Sequence, residues 1–291
     1  MNKIKTALIP AGGWGTRFLP GTKSIPKEMF PLGTKPVILH VVEEAVASGI
    51  ENIIFVVSHH KQCIESFFSA NEILEDYFLK CGKKEQVADL KRIANMANFD
   101  FVYAKNLSGN GGALEAARHL LLNDPFVLVW SDEVIFSKKE PRIKQCLDAF
   151  YKYGKPVISA VEIKDELKRK RYGMAELKDL PGEEEIKEIV RIVEKPDSGK
   201  EPSVYAAHGA YVLTPEVFSA LDKTKLGKNK ELWLTDIINK MKEKTGLLAK
   251  IIPDGRYLDC GDPLEYLYSQ MEYFLNYTEH SAELSSFFKK M

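Results

Sequence analysis

Short apolar runs bounded by glycine and proline alternate along this chain with longer stretches whose apolar residues recur at helical spacing. Thr6 to Ile9 is the first run, and it ends in Pro10-Ala11-Gly12-Gly13, the pattern of a buried strand feeding a glycine-rich loop. Val37 to Ser48 has helical spacing and is followed by Gly49, a C-terminal stop. Asn52 to Ser58 then reads as a second buried strand. Strand, loop, helix and strand in that order make a βαβ unit, which implies parallel strands and a right-handed crossover.

Residues from Lys61 to about Ala97, rich in Lys, Glu, Leu and Phe, predict an amphipathic helical insertion outside the sheet. Strand-like runs return at Phe99 to Ala104, Phe126 to Trp130 and Pro156 to Val161, with a helical composition over Gly111 to Leu122 between the first two. The alternation predicts an α/β fold. From about Tyr172 the chain turns strand-rich (MAELKDL, EIVRIVEKP, YAAHGAYVLT), with a polar hairpin tip around Pro181 to Glu185. Pro263 to Met291 reads as a helical tail whose Tyr266, Tyr268, Tyr273 and Phe274 predict core or oligomer packing. There is no internal repeat and no low-complexity linker.

Composition narrows the class. With 291 residues, 45% of them hydrophobic, the chain can bury a large core as one extended domain or two smaller ones. Lys+Arg and Asp+Glu both number 41, so no global field draws in nucleic acid or an anionic membrane, and any phosphate chemistry must be local. Cys63, Cys81, Cys146 and Cys260 follow no zinc spacing, and reduced thiols in a cytoplasmic protein are expected. The opening MNKIKTALIPAGG has an apolar run too short for a signal segment, and nothing approaches the roughly 20 apolar residues of a membrane span.

The most informative stretch is Pro10 to Pro31, where glycines and turns alternate with Arg17, Lys23 and Lys27. Glycines let backbone N–H groups approach an anion and spaced cations neutralise it from several sides, which describes a triphosphate cradle. It is neither a Walker loop nor a dinucleotide fingerprint, since GxxxxGK[ST] is absent and Phe18 stands where GxGxxG needs glycine. Asp132 follows the apolar strand Phe126 to Trp130, a suitable place for a Mg²⁺ ligand; a helix cap or turn explains a lone Asp equally well. Asp259, after Tyr257-Leu258 and before Cys260-Gly261, offers a second carboxylate in a similar setting. In Glu194-Lys195-Pro196, Lys195 suits a sugar phosphate and Glu194 suits sugar hydroxyls, although an exposed ion pair at a proline turn fits the same residues. Gly173 and Gly209 read either as turn or bulge glycines or as places where a sugar meets bare backbone.

The order PAGGxGTRFLPxTKxxPKEMxP, GNGGAL, SDE, YG, EKP, HGAYVLTPEVF, ELWLTD and LDCGDPLEY resembles the bacterial UTP–glucose-1-phosphate uridylyltransferases, over about residues 4 to 270. The resemblance implies a Rossmann-like mixed, mainly parallel central sheet flanked by helices, with a smaller β-rich sugar-binding region. A nucleotide-binding half would cover about 1–165, a sugar-phosphate-binding half about 166–262 and a helical tail 263–291. The nucleotide loop falls on Ala11, Gly12, Gly13, Gly15, Thr16 and Arg17, with Gly111 beside it, and the catalytic cations on Arg17, Lys27 and Lys195. The metal aspartates fall on Asp132 and Asp259, and the sugar-phosphate contacts on Gly173, Glu194, Lys195 and Gly209. Implied with them are Mg²⁺, UTP and glucose 1-phosphate as substrates, and a homodimer or homotetramer.

The chain also departs from that pattern. Ala104 stands where a uracil-reading glutamine is usual, Gly112 replaces the histidine of GLGHA, Asp132-Glu133 replaces paired aspartates, and Ala210 replaces the arginine of GRY. Backbone near Ala11 and Gly12, or Lys105 or Asn106, would then read the base. Two readings remain beside UDP-glucose synthesis: the same chemistry with another base or sugar such as dTTP, and a nucleotide-sugar-binding regulatory subunit without turnover. Retention of Arg17, Lys27, Asp132, Lys195 and Asp259 favours an enzyme, because a binder has less need of two metal carboxylates.

Overall fold

Strand β1 (Thr6–Ala11) is apolar after Thr6 because both its faces are covered: Ala7, Ile9 and Ala11 enter one buried cluster and Leu8 another. The computed structural model describes residues 2–105, 107, 109–226 and 231–290. After β1 come three 3-10 turns, Thr16–Phe18, Gly21–Lys23 and Lys27–Met29, each carrying one of the expected cations. Then follow β2 (Pro31–Leu32), β3 (Lys35–Pro36), α1 (Val37–Ala47), β4 (Asn52–Val57), α2 (Gln62–Phe68), α3 (Glu72–Lys80), α4 (Lys84–Ala94), β5 (Asn98–Tyr103), α5 (Gly112–Leu121), β6 (Phe126–Leu128), β7 (Glu133–Phe136), α6 (Arg142–Tyr153), β8 (Val157–Glu162) and α7 (Glu166–Arg169). The remainder supplies β9 (Gly173–Asp179), β10 (Ile186–Glu194), β11 (Tyr205–Leu213), α8 (Glu216–Leu221), α9 (Leu234–Thr245), β12 (Leu248–Ile251), β13 (Arg256–Asp259), α10 (Pro263–Tyr277) and α11 (Ser281–Lys290).

The main sheet has nine strands in the order β5-β4-β1-β6-β11-β8-β12-β10-β9. It is mixed, and its parallel character is concentrated in the N-terminal half: β5, β4, β1 and β6 run parallel, whereas β11 is antiparallel to both neighbours and β10 to both of its own. Only β8 and β12 continue the parallel pairing beyond β6. The boundary expected near residue 165 lies within this one continuous sheet. Among the described residues no helix is long and apolar enough to cross a membrane.

Local signals account for most elements. Helix α1 buries Val37, Ile38, Leu39, Val41, Val42 and Ala45 and ends in a Schellman turn, with the Ile50 N–H on the Ala45 carbonyl and the Gly49 N–H on Val46. Helices α3 and α4 lie outside the sheet as the insertion pattern predicts; α3 buries no residue and leaves Ile73 exposed. In the tail, the Asp262 carboxylate caps α10 at the Leu264 and Glu265 N–H groups. Tyr266 donates to the Pro31 carbonyl and Tyr273 packs on His40 and Phe136, so α10 is bound to the first half of the chain.

Two features decide where the site forms. A two-stranded ribbon pairs β7 with β13 in antiparallel register, setting Glu133 opposite Asp259. The β11 ladder breaks register between His208 and Tyr211, which places Gly209 and Ala210 in an irregularity.

Candidate active site

The glycine loop leaves β1 at the carboxyl edge of the parallel strands, where an α/β sheet binds ligands. Its backbone is pinned from neighbouring strand ends: Ser131 Oγ donates to the Pro10 carbonyl at 2.7 Å and Ser58 Oγ to the Gly12 carbonyl at 2.5 Å. Gly13 faces open space, and Gly15 adopts φ 64°, a left-handed conformation suited to glycine. Thr22 Oγ1 donates to the Gly15 carbonyl at 2.8 Å, closing the loop before Thr16 and Arg17. Trp14, 67% exposed, stacks on His60 with ring centroids 4.7 Å apart. The Leu107 side chain covers Gly12, while the Ala11 side chain is buried in the core.

Lys27 meets a carboxylate, and Arg17 meets the turn after Asp259. Arg17 Nη1 reaches the Gly261 carbonyl at 3.3 Å, and Lys27 Nζ forms an ion pair with Asp132 Oδ2. Burial works to lower the Lys27 ammonium, but Asp132 and Glu28 outweigh it and push it up to about 12. Burial likewise disfavours the Asp132 charge, yet Lys27 holds that carboxyl below its ordinary value. Asp259 goes the other way: burial, with the charges of Asp132 and Glu133, pushes it up to about 6 against the Gly261 N–H and Arg171.

The two aspartates are neighbours. A side chain at Gly261 would meet Asp132 Oδ2 at 2.6 Å and Asp259 Oδ1 at 3.3 Å, which puts those oxygens within about 6 Å of each other. The Cys260 N–H donates to the Asp132 carbonyl at 3.0 Å, carrying the ribbon pairing to the two carboxylates. Two hard oxygen donors, with mutual repulsion visible at Asp259, fit a cation of the Mg²⁺ type, which takes one or two carboxylates and completes its shell with phosphate and water. Among the described residues no group of three or more His, Cys, Asp or Glu is arranged to hold an ion alone.

A cavity of about 170 Å³ opens beside Asp132, with Gly173, Glu194, His208, Tyr211 and Thr235 in its wall. Gly173 pairs with Glu194 across β9 and β10, and a side chain there would press on Glu194 Oε2 at 3.2 Å, so glycine is what lets the carboxylate enter. Burial raises Glu194 above its ordinary value. Lys195 follows at φ 45°, its N–H donating to the Tyr172 carbonyl at 3.0 Å and its ammonium 4.9 Å from the Trp233 ring centre. A larger cavity of about 700 Å³ shares Tyr172 and has Asp259 in its wall; there Lys168 pairs with Glu265, and Asp254 accepts from Ser137 Oγ and the Lys138 N–H.

Not every expected residue joins this convergence. Gly111 sits against Leu232, to whose carbonyl it donates its N–H at 2.9 Å, and Gly209 is buried behind the Tyr211 ring with its carbonyl held by Arg142. Ala104 extends the β5 ladder through its N–H to the Val57 carbonyl and its side chain packs on the core. Lys105 is exposed, and Asn106 lies outside the described residues.

Several participants had no place in the sequence reading. Glu28 and Lys61, each 1% exposed, form a buried ion pair at 2.9 Å directly behind Lys27. Burial lowers the Lys61 ammonium against the pull of Glu28. Arg171 reaches Asp262 at 3.2 Å, Glu265 at 3.1 Å and Asp259 at 3.6 Å. The signal for Glu28 was its place beside Lys27; Lys61 carried none, because nothing local marks a lysine that will be buried.

The chain belongs to the nucleotidyl transferase family, whose model matches residues 6–274. More narrowly, it is 38% identical to a UTP–glucose-1-phosphate uridylyltransferase of Staphylococcus epidermidis, over 100% of this chain and 99% of that one. Among solved structures, a UTP-bound UGPase from Acinetobacter baumannii superimposes with a TM-score of 0.88 at 29% identity, over 99% of both chains. A UDP-glucose pyrophosphorylase complexed with UDP-glucose gives 0.83 at 33% identity, over 93% of this chain and 98% of that one.

Proposed function

We propose that this chain makes UDP-glucose and pyrophosphate from UTP and glucose 1-phosphate. The observation that carries the reading is the convergence of the glycine loop, Lys27, Asp132, Asp259 and the Glu194-Lys195 turn, supported by full-length relatives named for that activity. Backbone from Ala11 to Thr16, with Arg17 and Lys27, holds the triphosphate; Lys195 neutralises the sugar phosphate, and Glu194 accepts from sugar hydroxyls. A phosphate oxygen of the sugar attacks the α-phosphorus in line, forming the new P–O bond. The bond from that phosphorus to the β-phosphate bridging oxygen breaks, and its electron pair leaves with pyrophosphate. The attacking oxygen is already anionic, so catalysis is positioning and charge neutralisation, without a general base.

Asp132 and Asp259 would hold Mg²⁺, which when bound neutralises charge on the reacting phosphates. The compartment is the cytoplasm, in keeping with the free thiols Cys63 and Cys81 exposed at the surface. The active form is a homodimer or homotetramer, a reading supported by exposed Leu264, Leu267, Tyr268, Phe287 and Phe288 on the tail helices.

Pyrophosphate release measured over a panel of triphosphates and sugar 1-phosphates tests the activity. UTP with glucose 1-phosphate should turn over fastest, a chelator should abolish release and added Mg²⁺ should restore it. Asp132→Asn and Asp259→Asn should each lower turnover by about 100-fold or more with the fold intact. Metal-independent release, or full activity in either variant, would refute these assignments.

A further inference from the structure

Two buried hydroxyls set the direction of peptides in the glycine loop. Ser58 and Thr22 are each 7% exposed, and each donates to a loop carbonyl, Ser58 Oγ to Gly12 at 2.5 Å and Thr22 Oγ1 to Gly15 at 2.8 Å. Both peptides are trans, so the N–H of each points opposite to its carbonyl. Holding the Gly12 carbonyl on Ser58 therefore turns the Gly13 N–H away from Ser58, and holding the Gly15 carbonyl on Thr22 turns the Thr16 N–H away from Thr22. Gly13 and Thr16 are both exposed, and among the described residues neither N–H has an acceptor. A side chain at Gly13 would meet nothing within 4 Å, so the loop is open there. Trp14, between the two peptides, stacks on His60, two residues beyond Ser58, which ties the loop tip to the same turn.

A hydroxyl that donates to a carbonyl leaves the N–H of that peptide free for another acceptor. Peptide N–H groups fixed in this way bind anions well, because they are already oriented and need no reorganisation when the ligand arrives. We propose that Ser58 and Thr22 are positioning residues for the triphosphate: each fixes one loop peptide so that the Gly13 and Thr16 N–H groups stand ready as donors to phosphate oxygens. The role rests on the reading of this loop as the triphosphate site. The two hydroxyls are not equal. The Gly15 carbonyl also accepts from the Phe18 N–H at 2.9 Å, whereas among the described residues Ser58 is the one donor to the Gly12 carbonyl, so Ser58 carries more of the orientation.

The test measures pyrophosphate release by the unaltered chain, Ser58→Ala, Ser58→Thr, Thr22→Val and Thr22→Ser, with each substrate varied. Alongside it runs competition by inorganic tripolyphosphate at fixed free Mg²⁺, a probe that carries the charge without base or ribose. Ser58→Ala should raise KM for UTP and the tripolyphosphate inhibition constant together by about 10-fold, and Thr22→Val should raise both by about 3-fold, with KM for glucose 1-phosphate within about twofold. Ser58→Thr and Thr22→Ser, which keep the hydroxyl, should restore both. Equal loss of affinity for the two substrates marks the hydroxyls as merely structural and overturns the proposal. So does an unchanged KM for UTP in Ser58→Ala, and so does a loss for UTP without a loss for tripolyphosphate, which moves the effect to the base. If Ser58→Ala does not fold, Thr22→Val decides alone, and an unchanged KM for UTP there overturns the proposal. Tripolyphosphate that fails to compete with UTP on the unaltered chain sinks the cradle reading and this role together, whereas competition that both hydroxyl-free variants keep at full strength sinks this role alone.

Discussion

Lys195 shows at the scale of one residue how a site is paid for locally. A non-glycine residue at φ 45° carries strain on the order of 1–3 kcal/mol, and here the Tyr172 carbonyl holds the Lys195 backbone N–H while the Trp233 ring lies against its ammonium. Lys195→Ala should raise KM for glucose 1-phosphate by about 10- to 100-fold, the worth of a charge-assisted hydrogen bond, and leave KM for UTP within about twofold. Lys195→Gly should lose the same affinity but gain stability over Lys195→Ala, because glycine adopts positive φ without strain. Steady-state kinetics with each substrate varied, alongside urea unfolding, checks both; equal loss of affinity for the two substrates would remove Lys195 from the sugar phosphate. The sequence offered the Glu-Lys-Pro pattern but not the backbone conformation, since lysine as a residue type does not signal left-handed φ.

Elements bring together what the chain separates. The ribbon of β7 and β13 joins Asp132 to Asp259, and the turn after β4 delivers Lys61 to Glu28 behind Lys27. A buried pair contributes little net stability, but deleting one partner strands the other charge at about 3–5 kcal/mol. Lys61→Met should therefore destabilise by about that amount in urea unfolding, and Glu28→Gln with Lys61→Met should recover most of it. The double variant should remain slow, because Lys27 sits next to Glu28 in the same 3-10 turn and loses its fixed position. Unfolding and pyrophosphate release measured on the same samples separate the two effects, and full activity in the double variant would deny the pair any positioning role. The strand pattern marked β1, β4, β5 and β8, whereas β7, β12 and helix α6 went unread.

For the whole molecule, base choice is where fold and sequence pull apart. The cradle proposed above would recognise phosphate whatever base is attached, while Ala104 makes no side-chain hydrogen bond and the Leu107 side chain is the nearest group to Gly12. UTP and dTTP share the same imide edge, so turnover with the two should differ by less than about a thousandfold, or about 4 kcal/mol. Competition assays at fixed glucose 1-phosphate give the ratio; a larger gap would place base recognition on another group.

What the sequence determined by itself is local and periodic. Short apolar runs made strands covered on both faces, helical spacing made α1 and α5, and glycines at the end of β1 made a loop followed by three turns that each carry a cation. Each rests on neighbours a few residues apart, where backbone geometry and burial read the chain directly. Only the tertiary structure decided that Asp132 and Asp259 share one small space, that Lys61 is buried against Glu28 rather than solvated, and that His208 is stacked on Tyr257 beside Glu133. Those outcomes depend on strand register and on which distant segments exclude water together, and a carboxylate, a lysine or a histidine looks the same in the sequence whichever neighbour the fold brings to it.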